Sequence, residues 1–283
     1  MPLNITPLSP RFGAEIHELD LERDLNDESF AEILAAWRKH QVLLFRDQSV
    51  GDSKLLNFAK RFGVLDPAPY FDTKTSSPSG YPEISVVSNV IENGEPIGNL
   101  SNYELAWHSD MTYKEDPPVG CILHAWEAPE DEGATWFNSL RNALADLPRD
   151  LYDRIKDLKS FHDKRVTSAG TVRHGVEGSF GTFHPFLIRH PSWNEEVLLL
   201  GRRTNAVVEG LEAAASDALL DEIWAHVNQP KYTLAHSWKP GDVVIWDNLL
   251  TLHRRDAFAA SARRILHRAQ IRRLHPQFQA VAA

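Results

Sequence analysis

The stretch Trp107-His108-Ser109-Asp110 decides how the rest of this 283-residue chain is organised. Side chains two residues apart on a strand point to the same face, so His108 and Asp110 are predicted to present an imidazole and a carboxylate together. A non-haem Fe(II) centre needs two histidines and one carboxylate on one face of an octahedron, which leaves the opposite positions open. Residues 246–253 (WDNLLTLH) supply His253 as the candidate third ligand.

Composition limits the class of protein to which such a site belongs. The formal net charge of -9 disfavours nucleic acid and anionic membranes as partners, because both select a positive surface. The single cysteine, Cys121, lies in an apolar run and is expected to be a small buried side chain, since one cysteine cannot form an intramolecular disulfide. No apolar run approaches the ~20 residues of a membrane span. We expect one domain over residues 1–283 in a cytoplasmic protein.

The order of predicted elements favours a β-rich fold. Two amphipathic helices are expected before residue 63, the first capped at Asn26 or Asp27 and the second running from Asp52 to Gly63, where glycine suits a left-handed cap. Many short strands follow, with helices mainly before and between them. This arrangement predicts a jelly-roll-like β-sandwich with flanking helices rather than a doubly wound α/β fold.

A pair of arginines near the C-terminus suggests a pocket for anions. Arg264 and Arg268 are two strand periods apart and would share one face of a strand over residues 265–271. If that strand lies beside the one that carries His253, both guanidinium groups would face the metal cavity. Arginine is seldom buried without an anionic partner, and its planar fork binds carboxylate or sulfonate groups through two hydrogen bonds.

Together these motifs resemble the taurine dioxygenase / 2,4-dichlorophenoxyacetate dioxygenase family of Fe(II)- and 2-oxoglutarate-dependent oxygenases. The resemblance spans nearly the whole chain, from residues 42–46 (VLLFR) and 58–63 (FAKRFG) through the metal motifs to residues 263–268 (RRILHR). It implies a double-stranded β-helix, which is a jelly roll, with His108, Asp110 and His253 as iron ligands. By the same resemblance, Arg264 and Thr135 would bind the distal carboxylate of 2-oxoglutarate.

Substrate contacts are expected at Arg268 and just before the metal motif. Arg268 matches the position that contacts the anionic group of the substrate in family members acting on sulfonates or carboxylates. Loop residues that adjoin a metal strand are natural substrate contacts, which makes Asn102, Tyr103 and Glu104 candidates. Glu104 stands where taurine enzymes have an asparagine-rich run, and its carboxylate could receive an ammonium or a hydroxyl group.

The expected reaction is hydroxylation of a small carboxylate or sulfonate, in some cases followed by bond cleavage, with release of succinate and CO2. The resemblance also implies a homodimer or homotetramer. Two alternatives stay open at this point. A zinc hydrolase would use the same ligand types but leave the paired arginines without a role. A non-catalytic jelly-roll binder of small molecules would be expected to have lost a ligand, whereas all three are present.

Overall fold

The computed structural model describes residues 2–68, 77–98, 102, 105–172 and 181–279, in which strands prevail over helices. The strands of this part of the chain are β1 (Asn4–Pro7), β2 (Ala14–His17), β3 (Val42–Phe45), β4 (Gly63–Leu65), β5 (Ile84–Ser88), β6 (Ile91–Glu92), β7 (Glu95–Pro96), β8 (Leu105–His108), β9 (Gly120–Glu127), β10 (Thr135–Ser139), β11 (Lys159–Asp163), β12 (Gly181–Pro185), β13 (Leu187–Arg189), β14 (Glu196–Leu198), β15 (Thr233–His236), β16 (Val243–Asp247), β17 (Thr251–Arg255) and β18 (Ile265–Leu274). The expectation of a mainly β chain is confirmed.

Six α-helices flank the sheets in the described residues, and capping residues mark some of their ends. They are α1 (Asp27–His40), α2 (Asp52–Phe62), α3 (Leu140–Ala145), α4 (Arg149–Ile155), α5 (Ala213–Val227) and α6 (Pro276–Gln279). The Asn26 side chain caps α1 by accepting a hydrogen bond of 2.8 Å from the Ser29 amide. The left-handed cap expected at Gly63 is wrong, because its φ of 164° is extended backbone. Glycine is needed there instead because a Cβ would overlap the Arg273 carbonyl where β4 meets β18.

The larger sheet of the described chain holds eight strands, in the order β1-β2-β3-β16-β9-β18-β4, with β5 also paired to β18. Strands β2 and β3 run parallel, whereas the other neighbours in this sheet are antiparallel. Alternate side chains of β16 point to opposite faces of the sheet and pack in two different hydrophobic cores. Val243 and Ile245 pack in the core with α1 and α2, and Val244 and Trp246 pack on the other face. The central strand is therefore apolar throughout.

The smaller sheet has the order β15-β10-β17-β8 in the described residues and lies against the inner face of the larger one. Phe137 of β10 and Trp246 of β16 contact across the sheets, with ring centroids 5.6 Å apart. Its other side packs with α3 and α5 on a separate core that includes Leu140, Leu252 and Trp224. The metal motif strand β8 and the strand β17 are thus held between two apolar layers. Among the described residues, no helix combines the length and hydropathy needed to cross a bilayer.

Candidate metal centre

Two histidines face each other at the edge of the smaller sheet. His108 at the end of β8 and His253 in β17 are direct partners in the antiparallel register, and their ring centroids lie 4.2 Å apart. Asp110 Oδ1 lies 3.6 Å from His108 Nε2 and 4.0 Å from His253 Nε2. One ligand atom from each residue lies within 4.8 Å of the others. The three side chains predicted from the sequence therefore converge on one point.

The backbone reaches this arrangement in a way that strand alternation does not predict. Strand β8 ends at His108, and Asp110 lies in the turn beyond it. The buried Asn248 fixes that turn: its Oδ1 accepts a hydrogen bond of 2.8 Å from the Asp110 amide, and its Nδ2 donates to the Asp110 carbonyl at 2.9 Å. A further bond of 2.9 Å runs from Nδ2 to the Pro118 carbonyl. Asn248 thus holds the metal-site turn against the opposite loop.

The charge states of the imidazoles suit metal binding. Burial lowers the pKa of His253 to about 4, and burial together with the nearby His253 lowers the pKa of His108 well below its ordinary value. Both rings are neutral at pH 7 as a result. His108 Nδ1 lies 2.7 Å from the Ala106 carbonyl, to which it donates, so the lone pair is on Nε2. That atom is the one that faces Asp110.

The two carboxylate oxygens of Asp110 have different surroundings. Oδ2 accepts hydrogen bonds from Arg268 Nη1 at 3.0 Å and Gln270 Nε2 at 3.2 Å, and Cys121 Sγ lies 3.6 Å away. Burial on its own would raise the pKa of Asp110, but the neighbouring positive charges, chiefly that of Arg268 with a smaller effect from Arg202, help to hold the pKa well below the ordinary value. Oδ1 is left to face the histidines. Two neutral imidazoles and one ionised carboxylate form a donor set that fits Fe(II).

Arg264 adjoins the larger sheet and not the smaller sheet that carries the two histidines. It precedes β18, whose neighbours are β9, β4 and β5, so the expectation that its strand lies beside that of His253 is wrong. Because the two sheets face each other, arginines of the larger sheet can still point at a site on the smaller one, as the bond from Arg268 to Asp110 shows. Arg264 is 2 % exposed, and its Nη1 donates to the Gly133 carbonyl at 3.0 Å.

Thr135 and Arg264 are linked through an aromatic ring. The buried Thr135 Oγ1 accepts a hydrogen bond of 2.9 Å from Trp238 Nε1, and the Arg264 guanidinium lies 5.6 Å from the Trp238 ring centroid. Burial, with the repulsion of the neighbouring Arg255, lowers the pKa of Arg264 to about 9. Burial also lowers the pKa of Arg255 to about 10. A region with two desolvated guanidinium groups is suited to an anion.

Of the three loop residues proposed as substrate contacts, only Asn102 lies in the part of the chain that the structure describes. Tyr103 and Glu104 lie outside the described residues. Asn102 is half-buried, its carbonyl accepts a hydrogen bond from the Phe258 amide at 3.1 Å, and its Nδ2 lies 3.4 Å from the Phe258 carbonyl. These contacts place Asn102 beside the strand connection that leads from β17 to β18.

Comparison with known proteins identifies the family to which the chain belongs. Residues 4–270 match the model of the family described as taurine catabolism dioxygenase TauD, TfdA family. The chain belongs to the TauD/TfdA family. The resemblance inferred from the sequence motifs is thereby confirmed.

Relatives in the TauD/TfdA family cover almost the whole chain. It is 30% identical over 282 residues to the alpha-ketoglutarate-dependent 2,4-dichlorophenoxyacetate dioxygenase of Cupriavidus pinatubonensis, covering 95% of this chain and 97% of the relative. It is 28% identical over 287 residues to the (S)-phenoxypropionate/alpha-ketoglutarate-dioxygenase of Sphingobium herbicidovorans, covering 95% and 94%. The crystal structure of AAD-2 in complex with Mn(II) and N-oxalylglycine superimposes with a TM-score of 0.83 at 26% identity, over 96% of this chain and 98% of that chain.

Membership of the TauD/TfdA family settles the reaction class. The protein is an Fe(II)- and 2-oxoglutarate-dependent dioxygenase that consumes molecular oxygen. The zinc hydrolase and the non-catalytic binder are not supported, because the relatives are 2-oxoglutarate-dependent dioxygenases and the three ligand atoms converge.

Several residues of this TauD/TfdA site are missed by motif reasoning. Gln270 follows Arg268 by two residues on β18, so strand alternation alone could have placed it on the same face. Arg255 follows His253 by the same interval on β17. Arg202, in the loop after β14, carries no recognisable motif, yet its charge lowers the pKa of both His108 and His253. Only the tertiary structure could have indicated it.

Proposed function

We propose that this dioxygenase hydroxylates a small aryloxy- or alkoxy-substituted acid at the carbon next to the ether oxygen, so that the product collapses and the ether bond breaks. The observation that carries the proposal is Arg268, whose guanidinium lies 3.0 Å from Asp110 Oδ2 and therefore directly beside the metal position. An acidic group bound there would hold its neighbouring carbon close to the metal. The names of the two relatives, which describe phenoxyacetate and phenoxypropionate dioxygenases, support an acid of this class.

We assign the metal ligands and the cosubstrate contacts to separate residues. Nε2 of His108, Nε2 of His253 and Oδ1 of Asp110 hold Fe(II), with Arg268 and Gln270 retaining the second carboxylate oxygen. When bound, iron with 2-oxoglutarate and oxygen supplies the oxidising power: the keto acid yields succinate and CO2, and a substrate C–H becomes C–OH.

The distal end of the keto acid needs a cationic partner. We assign it to Arg264 and Thr135, which both contact Trp238. Burial makes the electrostatic attraction between the guanidinium and a carboxylate stronger than it would be in water. Asn102, Tyr103 and Glu104 remain proposed substrate contacts, with Glu104 as the partner of a hydroxyl or ammonium group where the substrate has one.

We further propose that the two facing sheets form a double-stranded β-helix in one domain over residues 1–283. Its support is the larger sheet, which joins β1 near one end of the chain to β18 near the other. A cytoplasmic location, expected from the sequence, remains a prediction, and so does the homodimer or homotetramer that the family resemblance implies. Light scattering after gel filtration would measure the oligomeric state.

The test of the reaction is succinate formation with phenoxyacetate, both enantiomers of 2-phenoxypropionate and hexyl sulfate as probes. Succinate must require Fe(II), 2-oxoglutarate and oxygen together, and a true substrate must increase its rate. Phenoxyacetate should release phenol and glyoxylate in amounts equal to succinate. Phenoxyacetamide, which lacks the negative charge, is the matched control and should react poorly. Equal rates with the acid and the amide would contradict an anionic substrate.

Two arginine variants separate the cosubstrate from the substrate. Arg264→Ala should raise the KM for 2-oxoglutarate far more than that for the acid, and Arg268→Ala should do the reverse. Each loses a charge-assisted interaction of about 1.5–3 kcal/mol, which corresponds to about 10- to 150-fold in KM. If both variants changed both KM values equally, the separate roles of these arginines would be wrong.

A further inference from the structure

Arg202 is a cation near the metal centre that forms no ion pair with a carboxylate in the part of the chain that the structure describes. Its Nη2 donates to the Ser168 hydroxyl at 3.3 Å, and its Nε is buried without a hydrogen-bond partner. Among the described residues, no carboxylate forms an ion pair with it. Leaving a buried guanidinium without an anion costs free energy, because the charge loses water and gains no partner.

The backbone fixes Arg202 next to the metal strand. The carbonyl of the preceding residue, Gly201, accepts a hydrogen bond of 3.4 Å from the Ser109 amide, between the two metal-site residues His108 and Asp110. A Cβ at Gly201 would lie 2.6 Å from Thr112 Oγ1, so the backbone is packed closely there. On the other side, the Ser168 carbonyl accepts from the Ala106 amide at 2.9 Å. Arg202 is therefore confined between β8 and the loop that contains Ser168.

The charges around Asp110 do not balance. Both Arg202 and Arg268 act on the Asp110 carboxylate, and both also act on the half-buried Tyr113 hydroxyl. Arg268 has Asp110 Oδ2 at 3.0 Å, and its Nε bonds the Ser85 hydroxyl at 3.3 Å. The one carboxylate shared by these two arginines is thus already bonded to Arg268. Arg202 retains a positive charge at the edge of the space that adjoins the metal position.

We propose that Arg202 is a second substrate-binding arginine, which receives the oxyanion of the substrate (carboxylate or sulfate) from the side opposite Arg268. This assignment rests on the proposed function. It predicts that the acidic group is bound by one guanidinium from the larger sheet and one from the loop after β14. The alternative is a purely structural role, in which Arg202 only holds the Ser168 loop against β8.

The experiment compares four proteins: the wild type, Arg202→Gln, Arg202→Lys and Arg203→Gln. Arg203 is a matched control because it is the next residue, and its guanidinium instead pairs with Asp217 at 2.8 Å and Asp221 at 2.7 Å on α5. Calorimetry under anaerobic conditions measures the dissociation constants of 2-oxoglutarate, phenoxyacetate, hexyl sulfate and the neutral phenoxyacetamide for the Fe(II)-loaded proteins. The acid and the sulfate distinguish the two sources of an oxyanion.

In Arg202→Gln, the dissociation constant of the preferred anion should rise about 10- to 100-fold. The constants for phenoxyacetamide and 2-oxoglutarate should change less than about twofold. Arg202→Lys should recover part of the loss because it keeps the charge without the planar fork. Arg203→Gln should match the wild type.

Three outcomes would overturn the inference. The first is an unchanged affinity for both anions in Arg202→Gln. The second is an equal loss for anion, amide and 2-oxoglutarate, which is the signature of a structural role. The third is a wild type that binds 2-oxoglutarate but neither anion. If the Fe(II)-loaded wild type did not bind 2-oxoglutarate at all, the proposed function itself would fail.

Discussion

Replacing Arg264 by Met should stabilise the ligand-free protein while it removes binding of 2-oxoglutarate. The methionine side chain keeps most of the buried volume but carries no charge. Arg264 is 2 % exposed, and the neighbouring charge that shifts its pKa is that of another cation, Arg255. The ligand-free folded protein therefore contains a desolvated guanidinium, whose cost an anionic ligand would offset.

The size of the effect follows from the pKa and the hydrogen bond. Burial, together with Arg255, lowers the pKa of Arg264 from 12.5 to about 9. At about 1.4 kcal/mol per pKa unit, this charge destabilises the folded state by about 4–5 kcal/mol. The variant loses the 3.0 Å hydrogen bond from Nη1 to the Gly133 carbonyl, and a charged hydrogen bond contributes about 1.5–3 kcal/mol. The net gain in the free energy of unfolding should be about 2 kcal/mol.

Urea denaturation of the metal-free, ligand-free protein measures this gain, and calorimetry of the Fe(II)-loaded protein measures the loss of 2-oxoglutarate affinity. Arg273→Met is the control, because Arg273 is exposed and pairs with Asp116, so its change should stay within about 0.5 kcal/mol. A less stable Arg264→Met protein, or one that still binds 2-oxoglutarate as the wild type does, would refute the reasoning.

The pH dependence of the same pair of proteins checks the sign. The pKa of Arg264 is lower in the folded state than in the unfolded state, so its penalty is complete below about pH 9 and disappears as the pH rises through that value. The difference in the free energy of unfolding between Arg264→Met and the wild type should therefore be constant between about pH 6 and 8 and shrink above about pH 9. A difference that grew with pH would show that the buried charge does not cause it.

Two further predictions concern how the site and the sheet are held. Asn248→Ala removes three buried hydrogen bonds from the metal-site turn, so the free energy of unfolding measured in urea should fall by about 2–5 kcal/mol. A Fe(II) titration should show weaker binding because Asp110 is no longer fixed, and an unchanged metal affinity would contradict this positioning role. Gly63→Ala places a Cβ against the Arg273 carbonyl and should lower the free energy of unfolding by more than about 2 kcal/mol. Gly51→Ala has no atom within 4 Å and should cost no more than about 1 kcal/mol, because it changes only the N-cap of α2; similar losses in both would mean that contact with β18 is not the cause.

Spacing within a single element was predictable, whereas pairing between elements was not. The α1 cap at Asn26 and the buried Cys121 follow from local rules of capping and apolar patterning. The proximity of His108 and Asp110 was also expected, but the reason given for it was wrong, because β8 ends at His108 and Asn248 holds Asp110 in the turn beyond the strand. The expected neighbour relation between the strands near Arg264 and His253 was wrong, because two strands can face one cavity from different sheets. Sequence periodicity gives the face on which a side chain lies but not which sheet the strand joins.

The candidate metal-binding residues, the arginine pair proposed to bind anions and the mainly β composition could all be predicted from sequence motifs, because metal ligands and core faces each impose a local pattern of residue types. Packing of distant segments was needed to show that Asn248 orients Asp110, that Gln270 donates to its second oxygen, and that the Arg202 guanidinium bonds the Ser168 hydroxyl while its Nε has no partner among the described residues. These roles depend on distances between segments at least 34 residues apart along the chain. Hydrogen bonds and charges act through space, so their partners are set only when the two sheets pack.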